Sequence, residues 1–157
     1  MKGEAILGAL AGLAEVTGSH LAIFFLSMKY LERKVVPIVE YCAEQCKNAS
    51  DFNQCVDQCL DNHKDKIFHA IATFLIINGT GFEANDFINY VLIDKVRRVG
   101  SEFKGAYKGI MVLSGVIDTL ITAFSYRAAW ALIESAKRKV LGRYLGGKVN
   151  IPHMRLM

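Results

Sequence analysis

Proline is almost missing from this chain: 157 residues contain two, Pro37 and Pro152. There is also no low-complexity tract, no internal repeat and no linker-like stretch. These absences exclude a largely disordered chain and confine expected disorder to the last ten residues. Strict apolar–polar alternation is missing as well, which excludes a strand-built fold. The signatures of common catalytic sites are absent. No glycine loop precedes a helix to cradle phosphate, no nucleophile elbow is present, and no paired His-Glu metal motif occurs. An enzyme is therefore not expected, nor a cofactor or small-molecule substrate. A cleavable signal peptide is not expected either. Met1-Lys2-Gly3-Glu4 opens with mixed charge, and the apolar run Ala5–Leu13 leads to no small-residue cleavage site and polar mature region.

Charge is sparse at 22% against 52% hydrophobic residues, which is apolar for a soluble domain of this length. The apolar residues recur at helical spacing almost throughout, and this predicts an all-α fold of about five helices. One domain is expected over 1–147, with its hairpin tip at 40–62 and an extended tail at 148–157. A first helix is read over 3–16, ended by Gly18-Ser19, with Ser19 capping a second over 20–47. Pro37 should kink that helix near Lys34–Val36. Asn48-Ala49-Ser50-Asp51 is a turn, and Asp51 with Gln54 has capping-box spacing. The third helix would then run to Ile77 and stop at Asn78-Gly79. Thr80 with Glu83 would open a fourth helix ending at Gly100, and Ser101 would cap a long C-terminal helix reaching Leu145.

The strongest pattern is Cys42-Ala43-Glu44-Gln45-Cys46 followed by Cys55-Val56-Asp57-Gln58-Cys59. Cysteines four apart share one face of a helix. The pairs are symmetric about the turn, so two antiparallel helices would bring Cys42 to Cys59 and Cys46 to Cys55 as two disulfide rungs. A bond within one pair fits the narrow disulfide geometry badly. Two other states stay open: free thiols, or a tetrahedral zinc held by four thiolates with His63 one turn beyond Cys59.

This twin CX3C hairpin resembles that of the small translocase chaperones of the mitochondrial intermembrane space. The resemblance spans Cys42 to Cys59; those proteins are much shorter and have a longer stretch between their cysteine pairs. It implies a route by which such a hairpin is oxidised without a signal peptide. A hyperthermophilic archaeon or its virus would be another setting for intracellular disulfides.

Three apolar stretches could cross a membrane: 5–28 (with Glu15 and His20), 67–77, and 109–126 (with Asp118). Gly8/Gly12, Gly105/Gly109 and Gly142/Gly146 have the spacing that lets helices approach closely. Tyr107, Tyr126, Trp130 and Tyr144 lie near the ends of the long apolar stretch, where an interfacial belt places aromatics. Crossings at 10–28, 63–79 and 109–126 would put the hairpin, Lys29, Arg33, Lys34 and the basic tail on one side. The positive-inside rule assigns that side to cytoplasm or matrix, whereas disulfides favour the opposite one.

Among the remaining polar residues, Asp118 and Glu15 are candidates for proton transfer or for pairing with a cation, Arg127 being one partner for Asp118. His69 reads as a core histidine. Asn48-Ala49-Ser50 and Asn78-Gly79-Thr80 match the N-glycosylation pattern, both on expected turns. Lys137, Arg138, Lys139 and Arg143, with Lys148 and Arg155 beyond them, form a basic cluster suited to anionic lipid or nucleic acid.

These features together point to a non-enzymatic structural subunit of a larger membrane-embedded or membrane-apposed assembly. A supernumerary subunit of a respiratory-type complex or a viral envelope or coat protein would fit. The expected partners are other protein subunits and lipid, with the hairpin in the mitochondrial intermembrane space, outside the cell or on a virion. One alternative is a self-assembling coat or pilus subunit enclosing nucleic acid. Another is a soluble module with a four-cysteine zinc site.

Overall fold

The computed structural model describes residues 2–145. Within them the chain forms α1 (Lys2–Cys46), α2 (Phe52–Asn62), α3 (Lys64–Lys95) and α4 (Ser101–Leu145), with no strand among the described residues. The all-helical expectation holds, but there are four helices rather than about five. The tail expected at 148–157 lies outside the described residues.

The missing boundaries have one physical cause: residues that resemble caps use their side chains across helices instead. Ser19 lies inside α1, donating to Glu15 O at 2.7 Å and accepting from Asn85 Nδ2 at 2.8 Å. Asn78 lies inside α3, buried, donating to Ser125 Oγ at 2.8 Å and accepting from Ser27 Oγ at 3.2 Å. Gly79 beside it faces Thr122, and Thr80 and Glu83 are interior to the same helix. α3 ends at Lys95 rather than Gly100.

The break that does occur is at His63. Its ring Nδ1 donates to Cys59 O at 2.8 Å, the acceptor that its own backbone N–H would use if the helix continued. That N–H turns to Leu60 O at 3.0 Å, and the His63 carbonyl accepts from Lys66 and Ile67 to start α3. Elsewhere the local signals are used. Asp51 caps α2 by accepting from Gln54 N at 3.0 Å. α4 begins at Ser101, with the Gly100 carbonyl accepting from Lys104 N at 3.1 Å, so the cap stands one residue earlier than expected. Pro37 is accommodated within α1 at an exposed position.

The described chain divides into two compact units, and α1, α3 and α4 each contribute to both. The hairpin unit comprises 28–74 and 127–145. Its core is apolar: Leu31, Val35 and Val39 of α1, Val56 and Leu60 of α2, Ile67, Ile71 and Phe74 of α3, Ile133, Val140 and Leu141 of α4. Each set follows the three-to-four spacing of one helical face. Cys42–Cys59 and Cys46–Cys55 are bonded, with Cα atoms 5.6 and 5.7 Å apart, as the nested register requires. No cysteine is free. Four thiolates for zinc are therefore not available in this state.

The three-helix unit comprises 2–27 and 75–126. α3 runs antiparallel to α1, pairing Glu15 with Asn89, Ser19 with Asn85, and Ser27 with Asn78. α4 runs parallel to α1. Gly8 lies against the Phe103 backbone, Gly12 against Ile110, and His20 against Asp118. A Cβ at Gly8 would stand 2.3 Å from Phe103 O, so glycine alone permits this approach.

Gly8→Ala should therefore destabilise the unit by about 2 kcal/mol or more through overpacking. Gly18→Ala, on the same helix with open space around it, should be neutral or stabilising by up to about 1 kcal/mol. Thermal unfolding of the purified variants checks this; equal effects at the two positions would contradict the close α1–α4 contact.

Candidate functional site

The two units differ in the polar side chains they bury, although the three-helix unit also buries Phe82, Tyr107 and Met111. In the hairpin unit the only buried charged residue among those described is Lys137, which donates to Asp57. In the three-helix unit Ser27, Asn78, Asp86, Ser114, Asp118 and Ser125 are buried, while large apolar side chains point outward. They include Leu7, Leu10 and Phe25 on α1, Ile76, Phe87 and Leu92 on α3, and Val116, Leu120 and Phe124 on α4. The most apolar 18-residue windows of α1, α3 and α4 have mean hydropathies of 1.5, 1.3 and 1.5, yet only 11%, 33% and 22% of each window is buried. Most of each of these apolar windows is thus left uncovered by protein. Three helices are long and apolar enough to cross a membrane.

The polar interior forms three layers along the unit. In the first, Glu15 Oε1 accepts from Asn85 Nδ2 at 3.0 Å and from Asn89 Nδ2, while Asn85 also donates to Ser19. In the second, His20 Nε2 donates to Asp118 Oδ1 at 2.5 Å, and its ring stacks on Phe82 with centroids 4.3 Å apart. Ser114 Oγ lies 3.4 Å from the same nitrogen. Asp86 completes this layer: one ligand atom each of His20, Asp86 and Asp118 lies within 4.8 Å of the others. In the third, Asn78 bridges Ser27 and Ser125.

The second layer is the least satisfied. Both Asp86 oxygens, Asp118 Oδ2 and His20 Nδ1 are buried without a hydrogen-bond partner among the described residues. Asp86 and Asp118 are 4% and 1% exposed, so bulk solvent hardly reaches these carboxylates. An apolar groove of about 820 Å³ between α3 and α4 reaches this layer, lined by Asp86 with Glu83, Phe87, Met111, Gly115 and Leu120.

Several candidates from the sequence fall elsewhere. The partner of Asp118 is His20, not Arg127. His69 is exposed, not core, because the apolar face of α3 there is carried by Ile67, Ala70, Ile71 and Phe74. The acceptor pattern at Asn78 is helical and buried rather than on a turn, whereas Asn48 is exposed between α1 and α2. Within the basic cluster, Lys137 is buried against Asp57 and Arg143 lies 3.5 Å from Glu40. Arg138 and Lys139 are exposed, and Lys148 and Arg155 lie outside the described residues. At the hairpin's exposed edge, a hydrogen bond from Lys47, with a second from Tyr144, holds the Glu44 carboxyl below its usual range. Asp86 escaped sequence reading: nothing in Asn85-Asp86-Phe87 marks it, and only the packing of α3 turns it inward.

In comparisons with protein-family models, curated proteins and solved structures, none matches this chain.

The pairing of His20 with Asp118 has a measurable consequence. His20→Leu strands a buried carboxylate, whereas His20→Leu with Asp118→Leu removes both polar partners. A double-mutant cycle on thermal stability should give a coupling of about 1–3 kcal/mol, with the double variant more stable than His20→Leu alone. Additive effects would contradict the contact.

Proposed function

We propose that this chain is a three-span integral membrane protein, a non-enzymatic structural subunit of a larger assembly, with its disulfide-stapled hairpin in an oxidising compartment. One observation carries the reading: the three-helix unit buries Ser27, Asn78, Asp86, Ser114, Asp118 and Ser125 while many of its large apolar side chains, Phe82, Tyr107 and Met111 apart, face outward. That arrangement is stable where the surroundings are hydrocarbon.

The outward apolar residues fall within spans at 6–26, 76–92 and 109–126, the last opening just after Lys108. At 1.5 Å per residue these are about 31, 25 and 27 Å, close to the ~30 Å hydrocarbon thickness. The second span thus lies further along than the 63–79 expected from sequence, because Ile67, Ile71 and Phe74 are used in the core of the hairpin unit. Lys108, bonded to Asp94 at 2.7 Å and over the Tyr90 ring, marks one membrane boundary.

Three crossings place 28–74 and the residues after 126 on one side, and the connection from Lys95 to Lys104 on the other. The latter carries Lys95, Arg97, Arg98 and Lys104, so both sides are basic and the positive-inside rule does not choose between them. The disulfides choose: the hairpin faces an oxidising compartment, whether intermembrane space, cell exterior or virion surface. Arg138 and Lys139 suit anionic headgroups there. With Lys137 and Arg143 engaged by acids, a nucleic-acid coat has less support than a membrane subunit.

Two features favour assembly over an isolated bundle. Gly105 and Gly109 have open space where a Cβ would stand, unlike Gly8 and Gly12, leaving a surface that a further helix can approach closely. Glu83 is exposed on the outward side of α3 beside the α3–α4 groove, where facing lipid alone is costly.

Alkaline carbonate extraction followed by native electrophoresis in mild detergent tests this reading. The chain should stay with the membranes and migrate in a particle well above 17.4 kDa, which Gly109→Leu reduces in size. All four cysteines should resist alkylation until reductant is added. Clean release as a monomer would overturn the proposal.

A further inference from the structure

The geometry points to a divalent transition-metal site inside the three-helix unit, with His20 Nε2 and one oxygen each of Asp86 and Asp118 as ligands.

Three observations converge on it. The first is spacing. The ligand atoms of the three residues all lie within 4.8 Å of one another. Bonds of about 2.0–2.2 Å to a shared ion place its ligand atoms roughly 3–4.4 Å apart. The second is deficit. Asp86 is 4% exposed, and neither of its oxygens has a hydrogen-bond partner. An ion between the groups engages Asp86 and Asp118 together. The third is charge. Two carboxylates and a neutral imidazole around a divalent cation sum to zero, the value a low-dielectric interior favours.

The donor set suits zinc, manganese or ferrous iron better than softer ions, because it contains imidazole and carboxylate and no sulfur. Binding replaces the hydrogen bond between His20 and Asp118. The imidazole then carries its proton on Nδ1 and gives the Nε2 lone pair to the ion. Asp118 keeps an oxygen directed into the layer, and Ser114 Oγ stands close enough to hold an ion-bound water. The α3–α4 groove, with Asp86 in its lining, supplies a way in for the ion and room for further ligands. The cluster of Cys42, Cys59 and His63 does not compete while both cysteines are in a disulfide.

The test uses the full chain purified in detergent with its disulfides intact, stripped with a chelator and dialysed against zinc or manganese in separate experiments. Elemental analysis should find about one retained ion per chain. At a hundredfold excess over the dissociation constant, the metal should raise the unfolding midpoint by roughly 5–10 °C. Asp86→Asn is the decisive variant. Asn matches Asp in size and removes one of two neighbouring buried acids, so the metal-free variant should fold and melt at or above the metal-free parent, yet retain no ion and show no metal-dependent shift. Asp118→Asn should lose retention too. The double variant His63→Ala with His69→Ala should retain the ion as the parent does, which separates this layer from exposed histidines. No retained ion, or equal retention by Asp86→Asn, overturns the site. Neither result bears on membrane residence, which the carbonate extraction reads separately.

Discussion

A carboxylate on α4, 1% exposed, has to be compensated where it sits, and His20 on α1 supplies the contact. Much of the three-helix unit follows from this. The bond sets the register of α1 against α4, and Gly8 and Gly12, both N-terminal to it, let the two backbones close there. Asn85 and Asn89 then meet Glu15, and Asn78 meets Ser27 and Ser125. Glu15, Ser19, Ser27, Asn78, Asn85 and Asn89 each reach a side chain on another helix, and these contacts specify which helices neighbour and in which sense.

On the proposed membrane reading, one chain satisfies two solvents. In the hairpin unit, water outside and an apolar core inside produce the ordinary ordering, reinforced by two covalent rungs where α1 and α2 leave little room for a large core. In the three-helix unit the ordering is reversed, and interhelical hydrogen bonds replace apolar contrast as the source of specificity. Helix-breaking residues behave accordingly. Ser19, Asn78 and Gly79 carry helix-ending signals but stay helical here, Gly79 against Thr122 and the two polar residues with partners on neighbouring helices.

A membrane subunit that also holds a metal ion would gain cohesion from it, since one ion ties α1, α3 and α4 together at the layer where hydrogen bonding is least complete.

The amino-acid sequence by itself determined the helical class, the disulfide pairing, the Asp51 cap and the extent of the last helix. Each is set by contacts within a few residues or by a symmetric spacing about one turn. It also marked Asp118 and Glu15 as acids in apolar company. What lay beyond it was decided by packing between distant segments. His20 rather than Arg127 meets Asp118, Asp86 turns inward, and the apolar run after His63 divides between the core of one unit and the outer face of the other. A local pattern records that a side chain can cap, pair or be buried. Which of these it does depends on the partner that tertiary structure brings within about 3 Å.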